Sequence, residues 1–164
     1  MKRILLPLSF CLSMAACATA AAGRPAQAGI PDHAAVVAAA NGLFDAMRAR
    51  DTAAIRAMFL PSAPIVSIGR RQNGEAVVEA QGVGDFLPQI AAAPGTLDER
   101  MWDPEVRVDG DLATLWAPYD FHFGGEFSHC GVDTFQLVRV DGRWRIAALS
   151  YTGRREGCPP APPR

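Results

Sequence analysis

Residues 112–152 read LATLWAPYDFHFGGEFSHCGVDTFQLVRVDGRWRIAALSYT, and the punctuation of this stretch decides the fold. Gly124-Gly125 and Asp141-Gly142 divide it into three runs rich in aromatic and β-branched residues. Each pair suits a two-residue primed turn, because glycine takes positive φ at little cost. The spacing predicts strands over about 112–123, 126–140 and 143–152, preceded by one over about 98–108 that turns at Asp109-Gly110. Successive strands joined by such turns form an antiparallel meander.

Side chains alternate along a strand, so each turn also assigns faces. Asp141-Gly142 sets Arg139 opposite Trp144, Leu137 opposite Ile146 and Phe135 opposite Ala148. The alternate face carries Thr134, Gln136, Arg143 and Arg145, so the Phe135/Leu137/Trp144/Ile146 face is the expected core side. The same side continues to Asp133 and His129. Carried across Gly124-Gly125, it places Asp120 opposite His129 and Trp116 opposite Asp133, with His122 beside them. No other part of the chain gathers ionisable groups in this way, and these five residues form the candidate ligand-binding set. A face that is apolar at one end and polar at the other is how a small-molecule pocket is lined. Pro118 lies inside a central strand, where proline normally marks a bulge. A bulge there would turn Ala113 and Leu115 inward and leave Asp120 and His122 in place. A bulge between 119 and 129 would break the assignment.

Upstream of the meander the pattern changes to helical. Pro31-Asp32 opens a first helix with Asp32 as the expected N-cap, and Val36, Ala40, Leu43, Phe44 and Met47 share one face. Asp51 caps a shorter second helix with Ile55, Met58 and Phe59 inward, stopped by Pro61. Strands are expected over 65–69 and 75–79, and a third helix over 84–92 buries Phe86, Leu87 and Ile90. Helices segregated to one side of an antiparallel sheet make a single α+β domain.

The first residues read as an export leader. Lys2-Arg3 precede an apolar run from Ile4 to Ala16, too short to span a membrane. Cleavage could follow Ala20 or Ala28. Met14-Ala-Ala-Cys17 is alternatively a lipobox that would lipidate Cys17 and make the following Ala/Gly/Pro stretch a tether. Residues 1–28 are therefore assigned to a signal peptide or a lipoprotein signal plus tether, 29–157 to the domain, and 158–164 to a proline-rich tail. The expected location is the periplasm or cell envelope, with a lipid anchor as the one route to a membrane.

Removing the leader removes Lys2, the sole lysine. Schiff-base catalysis, a pyridoxal anchor and a P-loop lysine are thereby excluded. If cleavage precedes Arg24, loss of Lys2 and Arg3 leaves 14 arginines against 17 acidic residues, net −3. That balance is no footprint for nucleic acid. Cys130 and Cys158 remain, and in an oxidising compartment a disulfide between them is expected, with two separate thiols as the alternative. No CxxC spacing occurs, and His122 and His129 with a carboxylate lack a diagnostic metal spacing, so neither a metal nor another cofactor is expected.

Two opening helices, a third between short strands, and a closing Asp141-Gly-Arg-Trp-Arg-Ile146 strand resemble the nuclear-transport-factor-2-like superfamily of cone-shaped domains, in which a curved antiparallel sheet wraps N-terminal helices. Tyr119-Asp-Phe-His-Phe123, Phe127-Ser-His-Cys-Gly-Val-Asp133 and Tyr151-Thr-Gly-Arg-Arg-Glu-Gly-Cys158 are similar to its SnoaL-like, lumazine-binding-type bacterial subgroup. The resemblance spans roughly Pro31 to Gly157. It implies a homodimer packed through the sheet and a flat heteroaromatic ligand on which Trp116 could stack. The ketosteroid isomerase mechanism does not carry over, because the first helices hold no tyrosine and Ile65-Val-Ser-Ile-Gly69 holds no carboxylate. Cyclase-type relatives use an Asp or His acid/base, a part open to Asp120, His129 or Asp133.

Three functions follow from these residues. The leading one is an exported domain that binds a small hydrophobic or heteroaromatic molecule through Trp116, Asp120, His122, His129 and Asp133. The second is a cofactor-independent isomerase, cyclase or dehydratase, with Asp120 orienting His129 as general acid or base. The third is a non-catalytic interaction or dimerisation domain, in which Asp120 and His129 only satisfy one another across the hairpin.

Overall fold

The computed structural model describes residues 30–163. The leader, its cleavage alternatives and Cys17 lie outside the described residues. The elements run α1 (Ile30–Ala49), α2 (Thr52–Met58), β1 (Pro64–Arg70), β2 (Ala76–Gly82), α3 (Val83–Ala92), β3 (Leu97–Met101), β4 (Glu105–Asp109), β5 (Leu112–Phe123), β6 (Glu126–Val140) and β7 (Arg143–Thr152). They form one curved, unclosed sheet in the order β2-β1-β7-β6-β5-β3, with β4 also paired to β5. Every pairing is antiparallel but one: β1 runs parallel to β7, so the sheet is mixed and not purely antiparallel.

The concave face closes on the helices. Val36, Ala40, Leu43 and Phe44 of α1, Ile55 of α2 and Leu87 of α3 are buried against Leu115, Phe135, Leu137 and Ile146. Each of these side chains other than Ala40 contributes about 1.5–3 kcal/mol of apolar burial. Asp51 caps α2 as expected, accepting from the Ala54 N–H at 2.9 Å. Asp32 does not cap α1. It sits in the helix's first turn and accepts from Arg139 Nη2 at 2.6 Å, while the Arg139 guanidinium lies 4.5 Å from the centre of the Trp144 ring. The carboxylate pins the start of α1 to the β6–β7 end instead.

The expected strand 98–108 is two strands. Asp103 takes φ 44° and Pro104 has no N–H to give a ladder, so β3 ends and β4 begins on either side of them. Pro118 faces that break: its carbonyl accepts from Trp102 N–H at 3.2 Å, and its pairing with Val132 shows no register shift. It is therefore not a bulge.

Two bulges occur elsewhere. One, at Gln136/Leu137, pairs Phe135 with Leu149 instead of Ala148 and leaves Ala147 as the extra residue. The other lies between Phe121 and His122 and decides the site.

Candidate functional site

Beyond the Gly124-Gly125 turn, Phe123 pairs with Glu126 and His122 with Phe127, but Phe121 then pairs with His129. Ser128 is the extra residue. The slip moves every later β5 partner by one: Asp120 faces Cys130, Ala117 faces Asp133 and Trp116 faces Thr134. With a period of two, one residue exchanges the faces of the whole strand. Ala113, Leu115, Ala117 and Tyr119 turn inward and are buried, whereas Trp116 is 52% exposed on the convex side.

The predicted cluster is thereby divided. His129 and Asp133 face the concave side. Asp120, His122 and Trp116 do not. Asp120 is buried beneath Arg100, which holds it with Nε at 3.1 and 3.2 Å and Nη2 at 2.9 Å. His122 packs its ring edge on Phe127, 5.7 Å between centres. With His122 and His129 on opposite faces, the two imidazoles cannot share a ligand.

A cavity of about 190 Å³ lies between the helices and the concave face. Leu43, Phe44 and Met47 of α1, Phe86 and Ile90 of α3, and Ile65, Leu97, Phe121 and Leu149 of the sheet give it an apolar wall. Glu99, Asp133, His129, Tyr119 and Tyr151 supply the polar part. The size suits one ring: an apolar cavity of about 150 Å³ admits benzene.

Glu99 and Asp133 form a carboxyl pair on this wall. Their side chains are hydrogen-bonded to each other, which requires a proton between them. Asp133 is 2% exposed, and no N–H or hydroxyl of the described residues reaches its Oδ2. Burial pushes the Asp133 carboxyl well above the usual carboxylate range, and both the charge of Glu99 and the bond to it add to the rise. Burial also pushes Glu99 up to about 7, with the bond from Asp133 acting the other way and the charge of Asp120 adding to the rise. With both carboxyls raised, the pair keeps a proton to higher pH than free carboxylates do.

His129 completes the polar wall. Burial, then the charge of Arg155, lowers its pKa, so the imidazole is neutral at pH 7. Its Nδ1 lies 3.0 Å from Ser128 Oγ, so the bulged residue holds the ring it displaced. The ring packs on Phe121 and against the Tyr119 edge, at 5.1 and 5.7 Å between centres. Tyr119 is committed elsewhere: its hydroxyl donates to Thr152 O at 2.9 Å, and burial raises its pKa. Gly131 makes that crossing possible, since a Cβ there would stand 2.8 Å from the Tyr119 ring and overlap the Thr152 carbonyl.

Cys130 and Cys158 are joined as a disulfide, with Cα atoms 5.8 Å apart. Cys130 faces away from the cavity, so the bond ties the chain after β7 to the reverse of the site. Sequence reasoning missed Glu99, Tyr119, Phe121 and Tyr151. A usable signal was Leu97-Asp-Glu-Arg-Met101, where a carboxylate shares a strand face with apolar neighbours at both i−2 and i+2.

A cone of three helices inside a curved mixed sheet, with a cavity walled by both, defines the nuclear-transport-factor-2-like class. The chain belongs to the SnoaL-like domain family, whose model matches residues 36–151. Solved structures agree on the fold. A nuclear-transport-factor-2-like protein of unknown function from Silicibacter pomeroyi is 21% identical, with 76% of this chain and 97% of that one covered and a TM-score of 0.56. The β subunit of a candidate aromatic-ring-hydroxylating dioxygenase from Novosphingobium aromaticivorans is 13% identical, over 74% and 88%, at 0.62. A candidate dehydratase of the same fold family from Streptomyces avermitilis is 18% identical, over 76% and 99%, at 0.57. No curated protein matches the sequence. At these identities the likeness is one of fold, and function rests on the site.

Proposed function

We propose that this domain binds a small, largely apolar, single-ring molecule in the concave cavity, with one polar group of the ligand meeting Glu99, Asp133 or His129. The observation that carries the reading is an apolar cavity of about 190 Å³ with a carboxyl pair in its wall. A buried carboxyl pair costs stability unless something else is gained from it, and a ligand's donor or acceptor would complete its hydrogen bonding. In this reading Trp116, Asp120 and His122, which lie off the concave face, make no contact with the ligand.

Titrating the protein with the single-ring probes phenol, aniline and benzamide tests this, with melting temperature and methyl chemical shifts as readouts. The expected result is a rise in Tm with at least one of them, with shifts centred on Leu43, Ile65 and Ile90. No binding at millimolar concentration by any of the three would reject it.

One observation favours catalysis as a second reading. A proton held between Glu99 and Asp133 near neutral pH, beside a neutral His129, is poised for general acid/base work on a bound ring. Asp133→Asn separates the two: an enzyme loses turnover and keeps binding, whereas a binding protein changes only in affinity.

The domain is further proposed to work outside the cytoplasm, supported by the Lys2-Arg3 leader pattern and the disulfide, with lipidation of Cys17 as its anchor. It is also proposed to pair through the convex sheet face, where Trp116 is exposed. Sedimentation of Trp116→Glu beside the parent protein would show a shift from dimer to monomer. Cys17→Ala would release an anchored form from membranes.

A further inference from the structure

A second, larger hollow of about 890 Å³ opens where β1 ends and the chain leaves β7. Arg70 and Arg71 line it from β1 and the turn after it, and Arg154 and Arg155 from the segment following β7; Glu156 is the one carboxylate in its lining. Four guanidinium groups around one hollow, in a chain of net charge −1, form a local positive field. Glu75 offsets part of it, at 2.8 Å from Arg71. Arg70 donates to Gly74 O at 2.8 Å and Arg154 to Gly157 O at 3.1 Å, each using one of the five donors a guanidinium carries.

The backbone at Arg154 is fixed in place. Arg154 exchanges both backbone hydrogen bonds with Cys130, at 2.9 Å each, and Cys158 is bonded to that same cysteine. His129 belongs to the walls of both the hollow and the apolar cavity. Gly153 stands beside its ring, where a Cβ would come 3.7 Å from Cδ2.

We propose that the hollow is the anion subsite of the cavity and that the ligand is a single-ring aromatic carboxylic acid. Its ring occupies the cavity, its carboxylate meets Arg70 and Arg155, and His129 stands where the two compartments adjoin. The inference rests on the cavity-binding reading above and adds the chemical class of its ligand. Planar guanidinium groups pair with carboxylates through two parallel hydrogen bonds, which a neutral amide cannot reproduce.

Calorimetric titration with phenylacetate and its neutral analogue phenylacetamide tests it. The acid should bind at least tenfold tighter than the amide, and the preference should shrink as salt rises. Arg70→Gln/Arg155→Gln, both exposed sites, should bind acid and amide alike, each as the parent protein binds the amide. Ring-current shifts at the Leu43 and Ile90 methyls should mark the ring in the cavity for both compounds. Equal affinities in the parent protein, or a preference that survives the double substitution, overturns the proposal and leaves the cavity reading intact if those methyls still shift. Acid binding without methyl shifts, or no binding by either compound, overturns both.

Discussion

The carboxyl groups of Glu99 and Asp133, on strands that flank β5 from either side, meet in the wall of the concave cavity. Unfolding releases each group to its ordinary pKa, so between about 4.5 and about 7 the folded protein holds a proton that the unfolded chain does not. The Glu99 contribution is therefore fully present at low pH and is lost as pH rises through about 7, and Asp133, also raised, acts in the same sense. Loss of the Glu99 contribution should cost on the order of 2 kcal/mol over that window. His129, with its pKa lowered, acts in the opposite sense, so the raw stability profile mixes the two. The difference between parent protein and Glu99→Gln/Asp133→Asn, followed by urea unfolding from pH 4.5 to 8, isolates the pair, since burial would still raise Glu99 in Asp133→Asn alone. That difference should fall as pH rises.

Gly131 should tolerate no side chain. A methyl group there meets backbone carbonyl on β7 and the Tyr119 ring together, and neither can give way without breaking the Tyr119–Thr152 hydrogen bond. Gly131→Ala is expected to destabilise by about 3 kcal/mol. Gly69, which has open space around its Cβ position, provides the control: Gly69→Ala should change stability by less than about 0.5 kcal/mol in the same denaturant melts.

Asp120 and Arg100 should matter to the fold and not to the ligand. Asp120→Ala leaves the half-buried Arg100 guanidinium without its bidentate partner and is expected to cost about 2 kcal/mol. Affinity for cavity ligands should be unchanged. A tenfold loss of binding in a variant that still folds would place Asp120 in the site after all.

Reduction of Cys130–Cys158, whose residues lie 28 positions apart in sequence, should lower stability by about 3 kcal/mol in the chain-entropy account. Cys158→Ala should match the reduced protein within error and show no further response to reductant. A free-thiol count of zero in the unfolded, unreduced protein is expected over the described chain.

What the sequence determined by itself were the elements and their order, apart from the break at Asp103-Pro104 that divides the strand expected over 98–108. The α1 stripe, the Asp51 cap, the three glycine-bearing turns and the inward Phe135, Leu137 and Ile146 are local or period-two features, readable because each depends on a few neighbouring residues. His129 and Asp133 could also be placed on the core side, because they lie on the same strand as those residues. The register across the hairpin was a different matter. Ser128 has no residue signature that marks it as extra; it is expelled because the apolar Leu115, Ala117, Tyr119 and Phe121 then enter the core together and Trp116 and Asp120 leave it. That choice balances burial over the whole of β5, and no turn motif encodes it. Glu99 became Asp133's partner for the same reason, since the two strands meet only around β5. The sequence settled which residues could make a site, and the tertiary structure decided which of them face one another.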